Sequence, residues 1–134
     1  MTLNKFTKDK VKRNKPTQWL VNVNLKSGQF FLNNLIADDL GLNRDCFVIV
    51  AYDEDAKGWF VTFDAEKGTS YALKYLSNKG YPVRYCFSNR KAATQILNEV
   101  KALKAATFLI SRRSIVAEGK KWYRILHKQP IRVN

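Results

Sequence analysis

From Trp19 to Lys26 the chain alternates, with Trp19, Val21, Val23 and Leu25 on one side and Leu20, Asn22, Asn24 and Lys26 on the other. A period of two is that of a half-buried strand. Ser27-Gly28 then turns the chain back into residues 29–32, which predicts an opening hairpin. Asn33 is suited to cap a helix, and Leu35, Ile36 and Leu40 recur at helical spacing until Gly41 stops the turn. Residues 47–52 form a nearly unbroken apolar run, which predicts a strand buried on both faces, with Val48 and Ile49 at the centre of the core. The polar residues 53–58 lead into residues 59–63, the second arm of another hairpin. Residues 27–63 thus read as strand, short helix and hairpin, the stretch around which the rest is organised.

After a polar, glycine-containing connection at residues 64–68, the plan recurs. Residues 69–76 are a tyrosine-rich strand candidate, 77–80 a turn, and 83–88 a strand with Val83, Tyr85 and Phe87 on one face and Arg84 and Cys86 on the other. Ser88 is placed to cap a helix in which Ala93, Ile96, Leu97, Val100 and Leu103 repeat at three and four. Residues 107–111 predict an apolar strand, 118–120 a turn and 122–127 a last strand. An offset of 56 lays Phe31-Leu32-Asn33-Asn34 over Phe87-Ser88-Asn89-Arg90, Ala37 over Ala93 and Leu40 over Ile96. An offset of 63 lays Trp59-Phe60 over Trp122-Tyr123, the extra seven residues fitting a second helix two turns longer. This predicts an internal duplication. Val61 falls over Arg124, so the match fails in the last strand, and two independent units of like plan are the alternative.

Gly28, Leu32, the Leu40-Gly41-Leu42 ending, Asp45 and the hairpin of residues 47–63 resemble the AbrB-type and antitoxin-type swapped-hairpin DNA-binding family. In that family two copies interleave their hairpins into one barrel, which a tandem copy would let one chain do alone. The resemblance implies an α+β fold with a barrel-like β core of two similar β-β-α-β-β halves, a swapped-hairpin-like pseudo-dimer. The expected layout is a flexible basic arm at residues 1–16 and a single compact domain at 17–134, with one half at 17–63 and the other at 69–134. The chain departs from the family where proline usually opens the helix, having Asn33, and where helix arginines meet DNA, having Ala37 and Asp38. Those implied DNA contacts are lost from the first helix, while the fold implication stands.

The formal charge of +13 makes a polyanion the first partner to consider. Its distribution is uneven: residues 1–37 hold seven Lys or Arg against one acid, 38–66 two against eight, and 67–134 fifteen against two. The first hairpin is the acidic side of a basic protein, so the polyanion-facing surface is expected from the arm and the second half. Cys46 and Cys86 have no CxxC spacing, which reads as small buried hydrophobes in a reducing compartment. No stretch approaches the roughly 18 apolar residues that span a bilayer, and no apolar segment follows the N-terminal lysines, so the expectation is a cytoplasmic protein without membrane contact.

Catalysis needs a proton-transfer or nucleophilic group held by a second group. His127 is the single histidine, and no phosphate loop, GxSxG or HExxH is present, so no enzyme, cofactor or metal is expected. Asp53, Glu54 and Asp55 lack calcium-loop spacing. Two basic constellations stand out instead. Arg90 and Lys91 open the second helix, where the dipole disfavours cations unless an anion joins them. Arg112 and Arg113 lie across a hairpin from Lys120 and Lys121, flanked by Trp122 and Tyr123. With Lys10, Lys12, Arg13 and Lys15 of the arm, and Lys26 and Arg84, these form the expected nucleic-acid-binding set. The expected function is non-catalytic binding of nucleic acid, duplex DNA held through its phosphates, in an accessory or regulator-like role. Alternatives are a structural component of a phage particle or other nucleoprotein assembly, homo-oligomers included, and binding of single-stranded DNA or RNA, for which aromatics among basic residues are suited.

Overall fold

The computed structural model describes residues 17–43, 45–66, 71–72, 74–76 and 84–134. The predicted arm, residues 1–16, lies outside them. In chain order the elements are β1 (Leu20–Asn24), β2 (Gln29–Leu32), α1 (Asn34–Leu40), β3 (Phe47–Asp53), β4 (Gly58–Thr62), β5 (Tyr71–Ala72) and β6 (Lys74–Leu76). They continue with β7 (Arg84–Ser88), α2 (Arg90–Glu99), β8 (Ala105–Ala117), β9 (Lys120–Leu126) and β10 (Arg132–Val133). The protein is a mixed α/β structure dominated by strands.

The opening hairpin forms as its alternation predicts: Val21 and Val23 are buried, and Val21 pairs with Leu32 across the antiparallel β1–β2 ladder. Gly28 makes that turn possible in two ways. Its φ of 67° is left-handed, and a β-carbon there would come 2.8 Å from Arg90 Cα, so only glycine lets the turn rest on the start of α2. Asn33 caps α1 by accepting a hydrogen bond from the Ile36 N–H at 3.4 Å, and Gly41 ends the helix at φ 63°. The cap of α2 is Asn89 rather than Ser88: its side chain accepts from the Ala92 N–H at 3.1 Å, while Ser88 is still in the β7 ladder opposite Gln29. The second helix ends at Glu99, because Lys101 turns to φ 57°, and Leu103 is left 83% exposed instead of continuing the apolar stripe.

The strands follow the order β5-β3-β4-β9-β8-β1-β2-β7-β6, with β10 on β8, and every pair between them is antiparallel. This sheet curls into an open half-barrel. Residues 17–63 and 84–134 alternate in it: β2 of the first pairs with β7 of the second, β4 with β9, and β1 with β8. One continuous core results, holding Val23, Phe30, Leu32 and Ile36 together with Phe87, Ile96, Leu97, Phe108 and Ile125. The Phe30 and Phe87 rings stack across the β2–β7 ladder at 4.8 Å.

Position in this order corrects the expectation for the apolar run. β3 lies next to the end of the sheet; Val48 is 0% exposed, whereas Ile49 and its neighbours are half-buried or exposed. The strand buried on both faces is β4. Its Trp59 and Val61 face the core, while Phe60 on the opposite face lies under the Arg124 guanidinium, 5.7 Å from the ring centre. Val48→Ala is therefore expected to destabilise by about 2 kcal/mol, from roughly 0.8 per buried methyl group plus the cavity. Ile49→Ala is expected to cost less than Val48→Ala; urea melts of the pair check this, and the opposite order would return β3 to the centre.

The second hairpin is longer than its pattern predicts. β8 runs from Ala105 to Ala117, past Arg112 and Arg113, after an irregularity in its pairing with β9 between Ile110 and Ser114. Glu118 at φ 54° and Gly119 at φ 73° form its two-residue turn, the positive pair that suits the twist of a tight hairpin. α2 has ten residues against seven in α1, so the second helix is less than one turn longer rather than the two turns expected.

Candidate nucleic-acid interface

The contact between Gly28 and α2 assembles the first basic cluster. The Asn89 N–H donates to the Gly28 carbonyl at 2.9 Å, and an Arg90 guanidinium N–H donates to the Lys26 carbonyl at 3.2 Å. Lys26 from the β1–β2 turn thus joins Arg90 and Lys91, and all three are exposed. Lys104, not foreseen from sequence, belongs beside them: its carbonyl accepts the Leu25 N–H at 2.9 Å, and it too is exposed. No acidic residue occupies the first turn of α2.

A second cluster is built where β8 outruns β1. The β1–β8 ladder ends at Leu20 and Leu109, and beyond it the Arg112 guanidinium packs over the Trp19 ring at 5.6 Å and donates to the Thr17 carbonyl. Trp19 in turn donates its indole N–H to Asp39 at 2.8 Å, so α1 and the start of the described chain are tied to this point. Arg113 is exposed. Lys120 and Lys121 fall on opposite faces of the hairpin: Lys120 shares a face with Ala117 and Trp122, while Lys121 borders a hollow of about 230 Å³ with Phe63, Asp64 and Tyr123. Burial pushes the Tyr123 phenol above its usual range, and the Asp64 carboxylate adds to the effect, so the group bordering that hollow stays uncharged at neutral pH.

The two clusters do not merge. The first meets β8 near Ala105, opposite Asn24, and the second begins at Arg112, so they stand about 20 Å apart along the strand. Of the other expected site residues, Arg84 opens β7, and Lys10, Lys12, Arg13 and Lys15 lie outside the described residues. What the clusters share is that none of their described lysines or arginines lies within salt-bridge distance of a described carboxylate; the carboxylate contact of Glu99 is to His127. Acids border the second cluster without pairing with it, Asp39 through Trp19, Asp64 beside Lys121 and Glu118 in the hairpin turn, while others lie at Asp38 and in the β3–β4 turn at Asp53, Glu54 and Asp55.

Arg124 is a further basic residue that sequence inspection passed over. It pairs with Phe60, donates to the Ala56 carbonyl at 3.1 Å and lies over Gly58, which leaves it room. The alternation Lys120, Trp122, Arg124 was the available signal, since residues two apart on a strand share a face.

His127 is buried and its Nε2 lies 3.0 Å from Glu99 Oε2, the same oxygen that accepts the Trp59 indole N–H at 3.0 Å. Glu99 thereby fastens the end of α2 to β4 and to the end of β9. Cys46 is half-buried and Cys86 buried, and no group of metal-ligating side chains occurs among the described residues. No helix among them is long and apolar enough to cross a membrane. No family model, curated protein or solved structure matches the chain significantly.

Proposed function

We propose that the protein binds nucleic acid without catalysis, holding duplex DNA through its phosphate backbone in an accessory or regulator-like role. The observation that carries this reading is the pair of basic clusters, exposed Lys26, Arg90, Lys91 and Lys104 at one end of β8 and exposed Arg112 and Arg113 with half-buried Lys120 at the other, none salt-bridged to a described carboxylate. Unpaired cations that repel one another are stabilised by a polyanion lying along them, and contacts to phosphate carry no sequence information. Labelled duplexes of unrelated sequence should therefore bind with affinities within a few fold of one another in an anisotropy titration. Absence of binding to every nucleic acid tested would replace this reading with that of an assembly component docking on a protein.

We also infer that the two halves are related by a pseudo-two-fold axis, in the manner of the swapped-hairpin family. The ladders support it. An offset of 56 exchanges the Phe30–Phe87 pair with Phe31–Cys86 at the middle of β2–β7, and an offset of 63 exchanges Phe60–Arg124 with Val61–Tyr123 in β4–β9. Both offsets are those found by laying the sequence over itself. The halves are then unequal in use, because α1 exposes Asp38 and Asp39 near its end, whereas α2 exposes Arg90 and Lys91 at its start.

A further inference from the structure

The outer face of β9 carries an alternating stripe. Lys120, Trp122 and Arg124 point the same way, since they pair with Ala117, Ile115 and Phe60 on neighbouring strands, and successive members stand about 7 Å apart. Beside the stripe is a cleft of about 350 Å³ between the β8–β9 hairpin and β3–β4, walled by Tyr52, Phe60, Ile115 and Trp122, with Asp53, one oxygen of which accepts the Asp55 N–H at 3.2 Å, and Glu118 also on its lining. Tyr52 and Ile115 are 42% and 53% exposed, a cost in water that a bound apolar face would remove. The Trp122 N–H is already satisfied, donating to the Ala117 carbonyl at 3.1 Å, so the indole has its π-faces to offer and no unmet donor.

The geometry points to a pocket for one unpaired nucleobase, in a duplex whose backbone lies on the basic clusters. This rests on the nucleic-acid reading above and adds to it the element recognised. Aromatic walls suit the flat face of a base, whereas Lys120 and Arg124 on either side of Trp122 suit the phosphates flanking it. Asp53 and Glu118 repel phosphate but accept hydrogen bonds from exocyclic amino groups, which adenine, cytosine and guanine carry and thymine lacks. A fully paired duplex keeps its bases stacked and leaves the cleft empty; a bulge or gap supplies the base without the energy of extruding it.

The test compares a fully paired duplex with the same duplex carrying a single-base bulge, using the full chain. The bulged duplex should bind about fivefold tighter or more, with bulged adenine or cytosine ahead of thymine, because one base–aromatic stack is worth about that factor. The bulged duplex should change tryptophan fluorescence more than the paired one, and that difference should vanish in Trp122→Ala, which removes the half-buried indole of the cleft. Trp122→Ala should make the two duplexes bind alike, and Trp122→Phe should keep the preference. Should Trp122→Ala fail to fold, Tyr52→Ala at an exposed position gives the same comparison. Equal binding of paired and bulged duplexes by the unmodified protein, with strong salt dependence, would overturn the pocket and leave the backbone reading standing. No binding to either would overturn both.

Discussion

Reversal of Lys26, Arg90 and Lys91 to glutamate is expected to lower duplex DNA affinity by about a hundredfold or more at low salt, since each charged hydrogen bond lost is worth about tenfold or more. The substitution separates binding from folding. The three side chains are exposed, and glutamates at the start of α2 interact favourably with the helix dipole where Arg90 and Lys91 do not. Only the Arg90 bond to the Lys26 carbonyl is lost from the fold. The melting temperature should consequently stay close to that of the parent while affinity falls. Asp38→Asn with Asp39→Asn should leave affinity equal or slightly higher, because the asparagine oxygen at position 39 can still accept the Trp19 indole N–H. Unchanged affinity in the triple reversal would remove the α2 cluster from the interface.

Phe87→Ala is expected to destabilise the whole protein by about 3 to 5 kcal/mol, the range for truncating a buried phenylalanine. Phe87 is 1% exposed, and its stacking partner Phe30 comes from the other half of the chain. Against the roughly 5 to 15 kcal/mol that stabilises a typical domain, this is a large share. The loss should be global, because the core draws on both halves. Thermal melting should remain a single transition, lowered by about 10 to 20 °C given a few degrees per kcal/mol at this size. Loss of amide protection confined to β7 and α2, with residues 20–62 unaffected, would contradict a shared core.

What could be read in the sequence was what local chemistry decides. The alternation of β1, the Asn33 cap and the Gly41 stop each depend on a few adjacent residues, and each occurs where expected. The burial of β3 was not legible, since an apolar run does not reveal its place in the strand order; that place depends on β4 pairing with β9, some sixty residues away. β8 outruns the strand its apolar pattern predicts, because Arg112, Arg113 and Ser114 end the apolar run while the ladder with β9 and the Glu118-Gly119 turn carry the strand on. The two basic constellations were legible from charge and from their places at a helix start and across a hairpin. That Lys26 joins the first and Thr17 and Trp19 the second was not, since it follows from Gly28 resting on Arg90 and from Arg112 reaching Thr17, contacts between residues more than sixty positions apart.

The most direct test of phosphate-backbone binding is the slope of log affinity against log salt concentration for duplex DNA between about 50 and 200 mM monovalent salt. If about six of the clustered cations meet phosphate, the slope should lie near −5, at about −0.9 per contact, and the triple reversal should reduce it by about 3. A slope near zero, or no binding at the lowest salt, would contradict the account.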